Sequence, residues 1–261
     1  MPENIMLISL FPTQAVENEQ LAQMLKVFEA ESKLVPEKWG NDERIRKAYD
    51  EIEIQELVKE GVQEGSRRFD DIYLHRTKKL RYSGRFSTRL HPRSYLKFTS
   101  RDKAKEAEKK MFFELGDRMA QLTKPKFGVS HILFADSIEM DNTIEYELME
   151  ECGQPTPARF LPYGPLGVGL RTYFGEQLIK CFEREFLLKA PAYVEELDWG
   201  GIRIDLIEEP WKIDQDTLLK KWLEVMAYLD KKNAFAKYKV RDDGSLAVAP
   251  IASKVWLESN K

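Results

Sequence analysis

Two stretches of this sequence concentrate acidic side chains, and the second also carries tryptophans. The first acidic tract, residues 136–151, contains no lysine or arginine, and the second spans residues 195–209. Their acids are Asp136, Glu139, Asp141, Glu145, Glu147, Glu150 and Glu151, then Glu195, Glu196, Asp198, Asp205, Glu208 and Glu209, with Trp199 and Trp211 beside the second set. Adjacent carboxylates on a strand point to opposite faces, so Glu195 and Glu196 form a poor acid–base pair.

Two interpretations of the acidic tracts remain open. They can be ordinary solvated faces, or they can form an anionic surface with aromatic anchors that suits a basic protein partner. Such a surface steers association through its field, and buried tryptophans localise the binding energy. On the second interpretation the predicted partner-binding residues are Glu139, Asp141, Glu145, Glu147, Asp198, Trp199, Glu208 and Glu209.

A basic tract at residues 76–110 offers a different chemistry. Its cations alternate with rings: Arg76, Lys78, Lys79, Arg81, Arg85, Arg89, Arg93, Lys97 and Arg101, with Tyr82, Phe86, Tyr95 and Phe98 between them. A nucleic-acid-binding module would place the cations on phosphates and the rings under bases. The near-alternation favours a half-buried sheet, with rings inward and cations in solvent.

Recognisable catalytic and metal motifs are absent from the sequence. His75, His91 and His131 lack ligand spacing, and HExxH, CxxC, GxxxxGK[ST] and GxSxG do not occur. We therefore predict no catalytic residue, no metal and no cofactor. An enzyme built on dispersed acids such as Asp136, Asp141 and Asp205 is a remaining alternative.

Composition and cysteine content suit a cytoplasmic protein. The chain has 261 residues, of which 43% are hydrophobic and 33% charged, with a formal charge of −3. The start of the chain predicts a strand at Asn4 to Phe11 instead of a signal peptide, and no stretch approaches the ~20 apolar residues of a membrane span. Cys152 and Cys181 are too few for a disulfide framework, which favours reduced thiols.

The elements that position these residues form an α+β pattern. For the N-terminal lobe, residues 1–150, we predict a helix from Val16 to Ala30 that buries Leu21, Met24, Leu25 and Phe28. A second helix, capped by Asn41, should bury Ile45, Ala48, Tyr49, Ile52 and Leu57. Strands follow from Asp71 to Thr99, then a helix capped by Ser100, and a buried strand from Phe127 to Ala135.

A connection rich in proline and glycine, residues 151–169, precedes the C-terminal lobe, residues 170–261. In this lobe we predict a helix from Tyr173 to Leu188 and a helix capped by Asp216. Two hairpins are predicted, with strands at Tyr193–Leu197 and Ile202–Leu206 and at Ala234–Val240 and Leu246–Ile251. The predicted class is α+β, with antiparallel sheets, helices packed on one face and two lobes of similar size.

One segment also carries a family resemblance. The residues concerned are Arg171-Thr172-Tyr173-Phe174-Gly175, Pro191-Ala192, Glu196-Leu197-Asp198-Trp199-Gly200-Gly201, Ile204-Asp205-Leu206 and Pro210-Trp211. This pattern resembles the immunity protein 52 family of bacterial immunity proteins, over the chain from about Leu80 onward.

The resemblance implies a cytoplasmic, non-enzymatic antidote. It would neutralise a cognate antibacterial toxin, a restriction-endonuclease-type DNase delivered by type VI secretion, by obstructing its active or DNA-binding surface. No membrane and no direct nucleic-acid contact are expected. The alternative function is the nucleic-acid-binding module built on residues 76–110.

Overall fold

The computed structural model describes residues 4–14, 16, 18–42, 44–63, 71–87, 96–100, 103–134, 164–240, 246–249 and 251, within two compact units, Met1–Pro125 and Lys126–Lys261. In the first unit the strands pair antiparallel in the order β3-β2-β4-β5-β6-β1. The elements are β1 (Ile5–Phe11), α1 (Asn18–Glu29), β2 (Lys38–Gly40), β3 (Lys47–Ala48), α2 (Glu51–Gln63), β4 (Asp71–Arg76), β5 (Tyr82–Ser87), β6 (Leu96–Ser100) and α3 (Glu106–Thr123).

An aromatic cluster forms the core of the first unit. The stripe predicted for α1, Leu21, Met24, Leu25 and Phe28, is buried as expected. The Phe28 ring lies 5.4 Å from that of Phe98 and 6.0 Å from that of Tyr82, measured between centroids. Gly84 lies opposite Phe98 across β5 and β6, and a Cβ there would come within 2.5 Å of the ring. A side chain at position 84 would therefore displace the centre of this core.

The second unit contains a four-strand antiparallel arrangement in the order β7-β8-β10-β9 and a separate hairpin, β11–β12. The elements are β7 (Phe127–Leu133), β8 (Arg171–Phe174), α4 (Glu176–Phe182), α5 (Arg184–Leu187), β9 (Tyr193–Glu196), β10 (Ile202–Asp205), α6 (Gln215–Leu229), β11 (Lys237–Val240) and β12 (Leu246–Ala249), with short 3-10 turns at Pro210–Lys212 and Asp230–Lys232.

Phenylalanines connect the sheet and helices of the second unit. Measured between ring centroids, Phe174 of β8 lies 5.9 Å from Phe127 and 5.5 Å from Phe182. The Phe182 ring lies 5.0 Å from that of Phe235. Every residue of β7 is buried, as the apolar run predicted. These contacts fix β8, which carries Arg171.

The predicted α+β class is confirmed by the antiparallel sheets and the helices between them. The predicted lobes, residues 1–150 and 170–261, stay a prediction, because residues 135–163 lie outside the described part of the chain. The strand Phe127–Leu133 belongs to the second compact unit, where it pairs with Arg171–Phe174. In the described ranges no helix has the length and apolar character needed to cross a membrane.

The predicted second helix is wrong in its first turns. Lys47 and Ala48 form β3, and α2 begins at Glu51. Asp50 is the effective cap, because its Oδ1 accepts hydrogen bonds from the amides of Ile52 and Glu53 at 2.9 and 3.0 Å. This start rotates the buried stripe to Ile54 and Val58 and leaves Ile52 62% exposed.

Three further boundaries differ from the predictions. Ser100 ends β6 and donates its hydroxyl to the Arg81 carbonyl, so it does not cap α3. Tyr173 lies in β8, because pairing with β7 and β10 on both sides overrides the helical periodicity. Asp214 caps α6 by accepting from the Thr217 amide at 2.8 Å, in place of Asp216.

Candidate functional site

The β9–β10 hairpin is the predicted site region that the structure describes best. Its two strands pair from Tyr193↔Asp205 to Glu196↔Ile202, as the sequence predicted. The turn closes through hydrogen bonds from the Leu197 amide to the Gly201 carbonyl, 2.9 Å, and from the Gly200 amide to the Leu197 carbonyl, 2.8 Å. Gly200 has φ +88°, a conformation that glycine adopts without strain.

Trp199 rests on the backbone of Gly201 at the tip of this hairpin. A Cβ at position 201 would lie 2.1–2.5 Å from three atoms of the indole, so only glycine permits the contact. Trp199 is half-buried, and its indole Nε1 is buried without a hydrogen-bond partner among the described residues. The predicted aromatic anchor is therefore already packed within the protein, and Asp198 beside it is exposed.

The β9 strand presents its side chains to solvent. Tyr193 is 55% exposed and is one of two large exposed hydrophobic residues in the described chain. Glu195 forms an ion pair with Arg203 at 2.6 Å, and Glu196 forms one with Arg184. Both glutamate side chains remain more than half exposed, so these pairs are well screened by solvent. The hairpin edge, defined as Tyr193, Val194, Glu195, Glu196, Asp198 and Trp199, thus combines acid with an exposed ring.

Asp205 is not part of any surface, although the sequence placed it in the second acidic tract. Both of its oxygens accept from Arg171, at 2.7 Å from Nε and 2.9 Å from Nη2, and both side chains are 4% exposed. Arg203 approaches the same carboxylate at 3.3 Å, and the Arg171 guanidinium lies 5.9 Å from the centre of the Trp211 ring. A carboxylate held this way orders β8 and β10 and is a poor candidate for acid–base chemistry.

The predicted C-terminal site residues lie on either side of β10 in the chain. Asp198 and Trp199 lie before β10, whereas Glu208 and Glu209 follow its end, and four strand residues span about 10 Å. Glu208 is exposed, and Glu209 pairs with Lys212 at 2.8 Å. Glu139, Asp141, Glu145 and Glu147 lie outside the described residues, as do Asp136 and the rest of the first tract.

Sequence reasoning did not select Tyr193, Glu195 or Glu196 for the site. Tyr193 lies outside the acidic tract, and the sequence alone does not indicate that β9 has a neighbour on one side only among the described strands. The available signal was the predicted hairpin itself, because one strand of a hairpin is often an edge strand.

Four cations of the basic tract form hydrogen bonds or ion pairs within the first unit. Arg76 is 8% exposed and donates to the carbonyls of Val35, 2.6 Å, and Lys79, 3.2 Å. Arg85 pairs with Asp71 at 2.8 Å. Lys78 and Lys79 approach Glu37 and Glu108 at 3.1 and 2.9 Å. In each of these contacts, a carboxylate or carbonyl oxygen of the protein already binds the cation.

The rings proposed to stack on bases face the core. Tyr82, Phe86 and Phe98 are at most 2% exposed, which matches the half-buried sheet predicted by the alternation. A buried ring cannot stack on a nucleotide base, so these three do not support nucleic-acid binding. Arg89, Arg93, Tyr95 and Arg101 lie outside the described residues.

His131 is a buried titratable group in the interior of the second unit. It is 1% exposed in β7, and its Nδ1 accepts a hydrogen bond from the Leu170 amide at 3.1 Å. Burial lowers the pKa of His131 to about 4, so the imidazole is neutral at pH 7. Across the described residues, no three His, Cys, Asp or Glu side chains are grouped to hold a metal ion.

Comparison with known proteins gives a likeness at the level of the fold. The chain is similar to a solved structure of the Pseudomonas aeruginosa T6SS protein PA0821, with a TM-score of 0.56 and 14% sequence identity. The alignment covers 98% of this chain and 81% of that chain. No protein-family model matches the chain, and no curated protein does. The likeness shows the fold, and membership of the immunity protein 52 family stays a prediction.

Proposed function

We propose that this chain is an immunity protein that binds and neutralises an antibacterial toxin of the type VI secretion system. The observation that carries the proposal is the fold likeness, over 98% of the chain, to a protein described as a T6SS protein. The Arg171–Trp211 segment, which resembles the immunity protein 52 family, supports it independently. In this proposal the protein acts in the cytoplasm, by binding and without turnover.

The finer proposal concerns the toxin and the way it is blocked. A nuclease of restriction-endonuclease type has a surface that receives a polyanion, and exposed acid on an antidote can occupy that surface. Asp198 and Glu208 are exposed and have no ion-pair partner among the described residues, so their charge is available to a partner. We therefore favour obstruction of the active or DNA-binding surface.

The test uses the product of the adjacent gene, expressed as its C-terminal domain. Mixing the two purified proteins should give a stable complex by size-exclusion chromatography and should abolish cleavage of plasmid DNA at equal concentrations. Expression of this chain should also protect bacteria from the toxin domain. Absence of a complex, or cleavage that continues at saturating antidote, overturns the proposal.

The first acidic tract supplies a more local test. Glu145 and Glu147 changed together to lysine should leave folding intact and weaken toxin binding, because two negative charges of that tract are reversed. Glu56→Lys, at an exposed position on α2, is the single charge-reversal control and should bind as the wild type does. If the double variant binds as tightly as the wild type, the first tract is not the contact surface.

A further inference from the structure

The strand β9 has a neighbour on one side only among the described strands. It is the last strand in the order β7-β8-β10-β9. The side chains of Tyr193, Glu195 and Glu196 on it are all more than half exposed. An edge strand with solvent along it presents backbone donors and acceptors that another strand can use.

One backbone hydrogen bond establishes which backbone groups of β9 point away from β10. The bond from the Leu197 amide to the Gly201 carbonyl makes 197 and 201 a bonded pair. Hydrogen-bonded pairs recur at every second residue of an antiparallel ladder. The backbone of Glu195 therefore forms hydrogen bonds with the backbone of Arg203, and that of Tyr193 with that of Asp205. Val194 and Glu196 are the non-bonded positions, and their N–H and C=O groups point away from β10.

The other side of β10 gives the same alternation. The Leu206 amide donates to the Leu170 carbonyl at 2.9 Å, which makes Ile204 and Ile202 the residues of β10 that bond β8. Arg203 and Asp205 are then the residues that bond β9. The two assignments agree, so the outward groups of Val194 and Glu196 follow from independent contacts.

The charge of the edge indicates what can pair with it. Glu195, Glu196 and Asp198 are acidic and exposed. The existing pairs of Glu195 and Glu196 with Arg203 and Arg184 are solvent-exposed, and pairs of this kind contribute little to stability. An incoming lysine or arginine can share these carboxylates at little cost.

In two pairing registers a second copy of this chain is a poorer occupant than a basic segment. An antiparallel β9 from another copy, centred on Glu195 or on Glu196, places that glutamate directly opposite its own counterpart. Like charges directly opposite each other on neighbouring strands are destabilising. The edge therefore discriminates against self-pairing in these registers.

We infer that the outward edge of β9 binds an extended, basic segment of the toxin, which adds as a further strand through the backbone of Val194 and Glu196. This inference rests on the proposed function, and it specifies the contact. The added strand carries lysine or arginine opposite Glu195 and Glu196 and an apolar residue opposite Val194. The exposed ring of Tyr193 offers a cation–π or stacking contact at the end of the strand.

Proline at position 194 separates strand addition from other modes of binding. Val194→Pro removes the outward N–H and leaves the β9–β10 ladder intact, because proline is tolerated where an edge amide faces solvent. We expect it to weaken toxin binding roughly tenfold, the equivalent of about 1.4 kcal/mol. Val194→Thr retains the amide and a similar shape, and it should bind as the wild type does. Equal affinity of the proline variant and the wild type overturns the inference.

Amide hydrogen exchange by NMR gives a readout that a merely structural role would not produce. In the toxin complex the amides of Val194 and Glu196 should become protected, whereas those of Glu195 and Leu197 should change little because they are bonded already. A complex that neutralises the toxin without protecting Val194 and Glu196 overturns the strand addition and leaves the proposed function standing.

A synthetic peptide tests the edge without the toxin. The probe is a capped hexapeptide with two adjacent arginines followed by valine, and its control has glutamates in place of the arginines. At about 1 mM, a concentration that half-saturates a site with a Kd of about 1 mM, the basic peptide alone should protect the amides of Val194 and Glu196. If neither peptide protects them, the inference fails. Protection of these amides without any probe, together with a dimer in sedimentation, would assign the edge to a second copy and also overturn it.

Discussion

The strands β5 and β6 of the first unit and the β9–β10 hairpin of the second both carry charged residues and aromatic rings, but the rings differ in their exposure to solvent. In β5 and β6 the rings of Tyr82, Phe86 and Phe98 are buried, and nearby cations pair with carboxylates of the same unit. In β9 a ring is 55% exposed and the acids face solvent. Strand position accounts for the difference, because β5 and β6 have neighbours on both sides, whereas β9 has a neighbour on one side only among the described strands.

The largest expected effect tests the interior role of the first unit's rings. Phe98→Ala should lower the free energy of unfolding by about 3–5 kcal/mol, because the ring packs on Phe28 and covers Gly84. Urea unfolding followed by circular dichroism measures this loss. A loss under about 1 kcal/mol would mean that the ring is available for other contacts and would reopen the nucleic-acid alternative.

The next largest expected change in stability concerns Asp205, the buried carboxylate of the β9–β10 hairpin. Asp205→Ala should destabilise the protein by about 3 kcal/mol, because Arg171 is left buried without its bidentate partner. The matched control is Asp198→Ala, which removes an exposed acid and should change unfolding by less than about 0.5 kcal/mol. Similar losses in the two variants would contradict the division between buried and surface acids.

The pH dependence of stability distinguishes the interior of the second unit from its edge. His131 has a folded-state pKa of about 4, below its unfolded value of 6.5, so the unfolded state binds more protons between these values. The stabilisation is present above pH 6.5 and is lost as the pH falls from 6.5 towards 4, by up to about 3 kcal/mol. The difference between wild-type and His131→Gln unfolding curves measures it. Parallel curves over this window would show that His131 does not titrate as described.

The smallest stability effect falls on the hairpin edge. Tyr193→Ala should change the free energy of unfolding by less than about 0.5 kcal/mol, because the side chain is 55% exposed. The same variant should weaken toxin binding, measured by calorimetry, by roughly fivefold, since exposed tyrosines are frequent binding anchors. A large stability loss would place Tyr193 with the buried rings and remove the contrast between the two regions.

Local patterns in the sequence predicted much of the fold. The apolar spacing of Leu21, Met24, Leu25 and Phe28 identified α1 and its buried face. The Trp199-Gly200-Gly201 turn identified the β9–β10 hairpin. These predictions succeeded because the determining residues are neighbours in the chain.

Predictions failed where a distant residue decides the outcome. Asp205 belongs to an acidic tract in sequence, yet Arg171, far away along the chain, buries it. Tyr173 fits a helical period, yet strands on both sides make it part of β8. Whether an acid is buried, and whether a strand is central, depends on pairings that spacing alone does not contain.

The contact between the Trp199 indole and Gly201 has a thermodynamic consequence for recognition. The indole is fixed before any encounter, so the tip of the hairpin has little side-chain freedom left to lose when a partner arrives. Gly201 therefore holds the Trp199 indole in one position, and the tip of the hairpin is pre-organised for binding a partner.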